Sequence, residues 1–154
     1  MTLKKFGLIG AVCAATLLGN TTAMAGDTAS VAVSATVVGT CKFNSGGAVS
    51  FTLDPSIGGN VTGTVTQPAF WCTKGTTYGI TDNDGANASS GVQRMKHATL
   101  AEYIPYSFSY TASGTGAGPS TPISLNIAST VVAADYLNAS AGSYADTVIL
   151  TIAP

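Results

Sequence analysis

The side chains able to do covalent or metal chemistry in this chain are few, and their spacing is unfavourable for most of it. There is one histidine, His97, and three cysteines, Cys13, Cys41 and Cys72. No cysteine or acidic cluster surrounds His97 at the spacing a metal would need, so the expectation is no metal site. Serines and aspartates are plentiful, but no Gly-x-Ser-x-Gly elbow appears and no carboxylate is placed to orient His97, so no catalytic residue and no cofactor are expected. Asp82-Asn83-Asp84-Gly85-Ala86-Asn87 has the oxygen-rich start of a calcium loop without its distal glutamate, and reads as an Asn/Asp-Gly turn between strands. Asn60, Asn87 and Asn138 each begin a glycosylation triplet, a pattern that recurs by chance in a chain rich in Asn, Ser and Thr. Arg94, Lys96 and Glu102 read as surface charges or an inter-subunit pair. The chemistry left is thiol oxidation.

Its setting follows from the N-terminus. Lys4 and Lys5 precede an apolar run from Phe6 to Leu18, and Ala23-Met24-Ala25 supplies a small-residue cleavage site. Residues 1–25 therefore read as a secretory signal peptide, with Cys13 inside its apolar run. Asn20, Thr21 and Thr22 interrupt that run before it could span a bilayer, so no stable membrane insertion is expected after cleavage. In an oxidising compartment the two remaining cysteines, Cys41 and Cys72, are expected to form one disulfide.

Removing residues 1–25 leaves 129 residues, enough for one domain with a proper core. Four basic side chains then face seven acidic ones, which excludes a basic nucleic-acid surface. Charged residues are only 8% of the whole chain, against about 25% in an average soluble domain. A surface of Ser, Thr, Asn and Gly suits a protein packed against copies of itself.

The elements that must position these residues are strands. Short β-prone segments at 29–38, 47–53, 61–71, 77–81, 92–95, 102–110, 122–127 and 144–152 are separated by turn chemistry such as Asp84-Gly85, Ser113-Gly114 and Gly118-Pro119. Val131 to Leu137 could hold one helical turn or another short strand. Many short strands in one domain imply an antiparallel sandwich or barrel. In the last segment the even-numbered Tyr144, Val148, Leu150 and Ile152 form the expected core face, opposite Ala145, Thr147, Ile149 and Thr151. The first segment places Ala29, Val31, Val33, Ala35 and Val37 on one side and Ser30, Ala32, Ser34 and Thr36 on the other. Either the two terminal strands pair within one molecule, or the first leaves to complete a neighbour.

A series of motifs resembles the spore coat protein U domain family, which includes major pilins of archaic, Csu-type chaperone–usher pili. The motifs are Cys41-Lys42-Phe43, Phe51, Phe70-Trp71-Cys72-Thr73-Lys74-Gly75-Thr76-Thr77-Tyr78-Gly79-Ile80, Gly85, Arg94-Met95, Tyr103-Ile104-Pro105-Tyr106-Ser107-Phe108 and Gly142-Ser143-Tyr144-Ala145-Asp146-Thr147-Val148. The resemblance implies an all-β, incomplete immunoglobulin-like antiparallel sandwich, completed by donor-strand exchange, in three parts: signal peptide 1–25, donor segment 26–40 and sandwich 41–154. A periplasmic chaperone would lend the missing strand, and at an outer-membrane usher the N-terminal segment of an identical subunit would replace it, giving an extracellular fibre for attachment and biofilm formation. Donor residues would be Ala29, Val31, Val33, Ala35 and Val37, and the acceptor groove would be lined by Tyr144, Val148, Leu150 and Ile152. Two other readings remain open: a self-contained sandwich binding carbohydrate or another surface ligand, and a non-pilus coat protein of the same family.

Overall fold

Alternation of apolar and polar residues, the two-residue period of a pleated strand, organises this chain, and its strands are short because glycine and proline interrupt them. The computed structural model describes residues 26–154; the expected signal peptide lies outside the described residues. In chain order the strands are β1 (Cys41–Phe43), β2 (Ala48–Ser50), β3 (Val61–Thr62), β4 (Thr64–Thr66), β5 (Ala69–Cys72), β6 (Thr77–Asp82), β7 (Arg94–His97), β8 (Tyr103–Pro105), β9 (Ser107–Ser109), β10 (Ser113–Thr115), β11 (Ile123–Ser124), β12 (Ala128–Val131), β13 (Tyr144–Ala145) and β14 (Leu150–Ala153). One helical turn, α1 (Ala133–Tyr136), follows β12. Among the described residues no helix is long and apolar enough to cross a membrane.

All strand pairing is antiparallel and resolves into two layers. The first joins β1 to β5 to β11, β2 to β4, and β3 to β12 to β9; the second joins β14 to β6 to β10 and β13 to β7 to β8. The expected all-β antiparallel sandwich is the architecture of the chain. Between the layers, Phe70 and Cys72 of β5 meet Tyr78 and Ile80 of β6, with Leu125 and Ile127 completing the core. The rings of Phe70 and Tyr78 pack edge to face with centroids 4.9 Å apart, a favoured arrangement for aromatic pairs. A smaller cluster of Ile104, Val131 and Tyr136 closes the other end. Cys41 and Cys72 stand opposite each other in the β1–β5 register and are joined by the expected disulfide.

Several expected elements differ. Segment 29–38 carries no strand, because a strand is a ladder and this segment has no ladder partner among the described residues. Segment 102–110 divides at Tyr106, where the chain crosses between layers so that β8 pairs with β7 and β9 with β12. Ser113-Gly114, expected as a turn, lies instead in β10, paired with Gly79 and Tyr78 of β6. Segment 144–152 is interrupted between β13 and β14. The chain divides into an N-terminal piece ending at Ala35 and a compact unit, Thr36–Pro154.

Candidate functional site

Within residues 26–35 the backbone makes no strand and every side chain is exposed; Val31 and Val33 are 83% and 91% accessible. In the compact unit Val37 continues this exposure at 82%. The odd-numbered row expected from the sequence is therefore exposed among the described residues.

The compact unit has the complementary feature. Its first layer ends in β1 and β2, each paired on one side only, and its second ends in β13 and β14, likewise paired on one side. Between these two edges runs a groove. Its central part, of about 450 Å³, is lined by Val49, Phe51, Met95, Tyr106, Tyr144 and Val148, among others. Sharing those walls, it continues toward Phe43, Gly47, Pro68 and Leu150 at one end and toward Leu53, Pro55, Tyr136 and Gly142 at the other. Of the four expected wall residues, Tyr144, Val148 and Leu150 line the groove, whereas Ile152 packs on the Phe70–Tyr78 core beyond its end. The even-numbered face of the last strand points inward throughout, while Ile149 on the odd face is 60% exposed.

Asp146 is the residue that the reading of this strand's apolar face passed over. It too is even-numbered, and its carboxylate enters the groove between Tyr144 and Val148. Oδ2 accepts a hydrogen bond from the Tyr106 hydroxyl at 2.7 Å, and Oδ1 accepts from the backbone N–H and the side-chain Nδ2 of Asn87, both at 3.0 Å. Burial first, and then the bond to Asp146, pushes the Tyr106 hydroxyl well above the ordinary tyrosine range, so it stays a donor. Arg94 Nε donates to the Asn87 carbonyl at 3.1 Å, and its guanidinium lies 4.4 Å over the centre of the Tyr103 ring. Arg94, expected as a surface charge or one member of an inter-subunit pair, thus braces its own chain.

The same network explains the oxygen-rich turn. Asp84 N–H donates to Asp82 Oδ1 at 2.7 Å and Gly85 N–H to Asn83 Oδ1 at 3.1 Å, while Ile149 N–H also donates to Asn83 Oδ1 at 2.9 Å. Ala86 N–H donates to the Thr147 carbonyl at 3.0 Å. Residues 146–149 are therefore held by the 83–87 turn, in place of a ladder, where β13 gives way to β14. Gly85 sits at φ 89°, and a Cβ there would strike the Asp146 carboxylate, so glycine is required on two counts. Signals for this site were present in the motifs Gly85, Arg94, Tyr106 and Asp146, but nothing in the linear spacing of four distant residues says that they meet.

His97 is buried beneath the Leu53–Tyr136 end of the groove. Its ring packs edge to face on Tyr144 with centroids 4.9 Å apart, and its Nδ1 accepts from the N–H groups of Thr99 and Leu100, each at 3.1 Å. That geometry makes it a corner brace for the turn after β7.

A family model matches residues 27–151, almost all of the described chain, under the description Spore Coat Protein U domain. The chain belongs to that family. The Spore Coat Protein U domain here is also similar to a solved chaperone–tip adhesion subunit pre-assembly complex from archaic chaperone–usher Csu pili of Acinetobacter baumannii, with 21% identity and a TM-score of 0.48. That likeness covers 76% of this chain and 40% of the other, so this Spore Coat Protein U chain spans less than half of that protein's length. A comparison with curated proteins returns no match.

Proposed function

We propose that this chain is a structural, non-enzymatic pilus subunit that polymerises by donor-strand complementation into an extracellular fibre for attachment and biofilm formation. The observation that carries the reading is the pairing of opposites in one molecule: a groove between two one-sided strand edges, walled in part by Val49, Phe51, Val148 and Leu150, and an alternating segment with no ladder partner among the described residues. Strand addition satisfies both, because backbone hydrogen bonds complete the two edges while alternate side chains fill the groove. Ala29, Val31, Val33, Ala35 and Val37 are the donor side chains, and Tyr144, Val148 and Leu150 form one wall of the acceptor.

Direction decides whether the donor is the chain's own. The first layer's edge runs from Phe43 to Leu53 and the last strand runs the opposite way, from Tyr144 to Ala153, so an inserted strand is antiparallel to only one of them. Taken antiparallel to the last strand, 144–153, the donor runs from the Phe43 end to the Leu53 end. Val37 would then lie at the far end of the groove from the start of β1, about 30 Å away at roughly 3.3 Å per residue, so the donor must come from another molecule. Such a head-to-tail contact does not close on itself and grows a filament. Before assembly, an exposed edge of this kind needs cover; a periplasmic chaperone supplies the strand, and an outer-membrane usher exchanges it for the next subunit's segment.

Electron microscopy of the protein without residues 1–25, beside a version also lacking residues 27–38, with both run unboiled on a denaturing gel, tests this. Filaments and heat-labile ladders from the longer protein alone are expected. A stable monomer from that protein would reject assembly and favour a self-contained binding module.

A further inference from the structure

The inference below rests on the donor-strand reading and concerns what happens where one subunit ends and the next begins. At the disulfide end, Thr73 Oγ1 accepts from the Thr40 N–H at 3.1 Å and shares its one proton between the Val38 carbonyl at 3.3 Å and the Thr40 carbonyl at 3.4 Å, and Thr73 N–H donates to the Thr40 carbonyl at 2.9 Å. Between them, Gly39 lies so close to Thr76 that an added Cβ would stand 3.0 Å from its hydroxyl oxygen. Val38 is therefore latched to its own body, yet Val37 is the last residue of the donor row. Neighbouring Cα atoms are about 3.8 Å apart, so no slack separates the residue inside the acceptor from the residue fixed on the donor. The two bodies must abut at the mouth of the groove.

For a donor antiparallel to the last strand, that mouth is the Leu53–Tyr136 end. It carries Ile57, 81% exposed and among the most exposed large apolar side chains of the compact unit, and Leu137, 40% exposed. Gly58, next to Ile57 in the chain, lies beside Leu137, where an added Cβ would stand 4.0 Å from Leu137 Cδ2. Ile57 is presented by an ordered turn: Asp54 Oδ1 accepts from the Ser56 N–H at 2.8 Å and hydroxyl at 2.6 Å, and the N–H groups of Ile57 and Gly58 donate to the Asp54 carbonyl, each at 3.2 Å. On the donor body, Val38 is 73% exposed beside its latch. Each side of the enforced junction thus offers an apolar residue on a hydrogen-bonded support.

We infer that Ile57 and Leu137 of one subunit pack against Val38 and the Thr40–Thr73 latch of a second copy of this chain, forming a body-to-body contact that sets the angle between consecutive subunits. The contact is small beside the strand ladder. Its consequence is stiffness of the joint, not survival of the polymer.

The test places the photo-reactive residue benzoylphenylalanine at position 57 in the full chain, irradiates assembled filaments, and maps the cross-linked peptide by mass spectrometry. A link to residues 36–42 or 73–76 of the neighbouring subunit is expected. Filaments with normal unboiled ladders whose link falls on the Phe43–Gly47 end, or that show no link, would overturn the contact and leave the donor-strand reading standing. Absence of ladders from the unmodified chain would overturn both. As a second readout, Ile57→Asp should keep the ladder and shorten the persistence length of the fibre in micrographs; an unchanged persistence length counts against the contact.

Discussion

The segment 29–37 and the strand region 144–153 are written in nearly the same pattern, and they have opposite fates. Both alternate, with Ala32 in the first and Asp146 and Ile149 in the second as exceptions, and each puts most of its large apolar side chains on one face. In the first, Val31, Val33 and Val37 are almost fully exposed; in the second, Tyr144, Val148, Leu150 and Ile152 are all half-buried. The difference is the presence of a paired strand: β13 and β14 have β7 and β6 beside them, whereas 29–37 has no paired strand among the described residues. Periodicity says which side chains share a face, and only an available edge decides whether that face is buried.

The sharpest way to break the comparison is to remove the first segment's ability to pair. Val33→Pro deletes a donor N–H at the centre of the ladder, where a sheet does not tolerate it, and should abolish unboiled ladders and filaments while leaving the chaperone-bound subunit folded, as circular dichroism would show. Val33→Ala removes only two methyl groups, worth about 0.8 kcal/mol each if fully buried, so ladders should persist and melt at a slightly lower temperature. Equal behaviour of the two variants would deny the backbone its leading role.

Next in size is a change that belongs wholly to the sandwich. Replacing both Cys41 and Cys72 by serine opens a loop with a sequence separation of 31, for which the chain-entropy model gives a loss of about 3.5 kcal/mol. Denaturant unfolding of the chaperone-released or donor-peptide-complemented domain should show that loss, and reduction of the native protein should reproduce it.

A smaller effect, confined to the groove wall, is expected of Tyr106→Phe. It strips the Asp146 Oδ2 of its donor, and a half-buried carboxylate oxygen left unpartnered costs about 1–3 kcal/mol. Because Asp146 and the 83–87 turn hold residues 146–149 in place, this variant should lower both domain stability and the rate of strand exchange, unlike Val33→Ala, which touches assembly alone. A lowered stability with an unchanged exchange rate would detach the clamp from groove shape.

The smallest effect is on pH dependence. Burial first, with Asp82 nearby, pushes the Tyr110 hydroxyl up to about 12 from its ordinary value of 10.0. A group whose folded pKa is raised contributes stability that is complete below the unfolded pKa and is lost as pH rises through the folded one. Unfolding midpoints should therefore be insensitive to this group below pH 10 and fall between there and about pH 12, and Tyr110→Phe should flatten part of that decline.

Much of the chain is legible in its sequence. The all-β class, the Cys41–Cys72 bond and the inward even-numbered face of the last strand follow from composition, thiol chemistry and a two-residue period, all of them local properties. What could not be read locally was where the chain changes partner. β10 was hidden because Ser113-Gly114 looks like a turn, and only Tyr78 and Gly79 of β6 make it a strand. Segment 102–110 read as one strand, since nothing in its alternation marks Tyr106 as the crossing between layers.

The clamp on Asp146 shows the same limit from the side of function. Its members, Gly85, Asn87, Tyr106 and Asp146, are visible in the sequence as separate residues, and an apolar-face pattern has no place for a carboxylate such as Asp146. Composition and periodicity determined by themselves that this is a β-protein with an alternating first segment and an inward-facing final strand. Tertiary structure alone decided that two layers leave their edges unpaired on the same side, that a groove lies between them, and that Thr73 latches the segment at Val38. The reason is physical: side-chain alternation is imposed by each residue's own backbone, whereas strand edges, grooves and clamps are made by pairings between residues far apart in the chain.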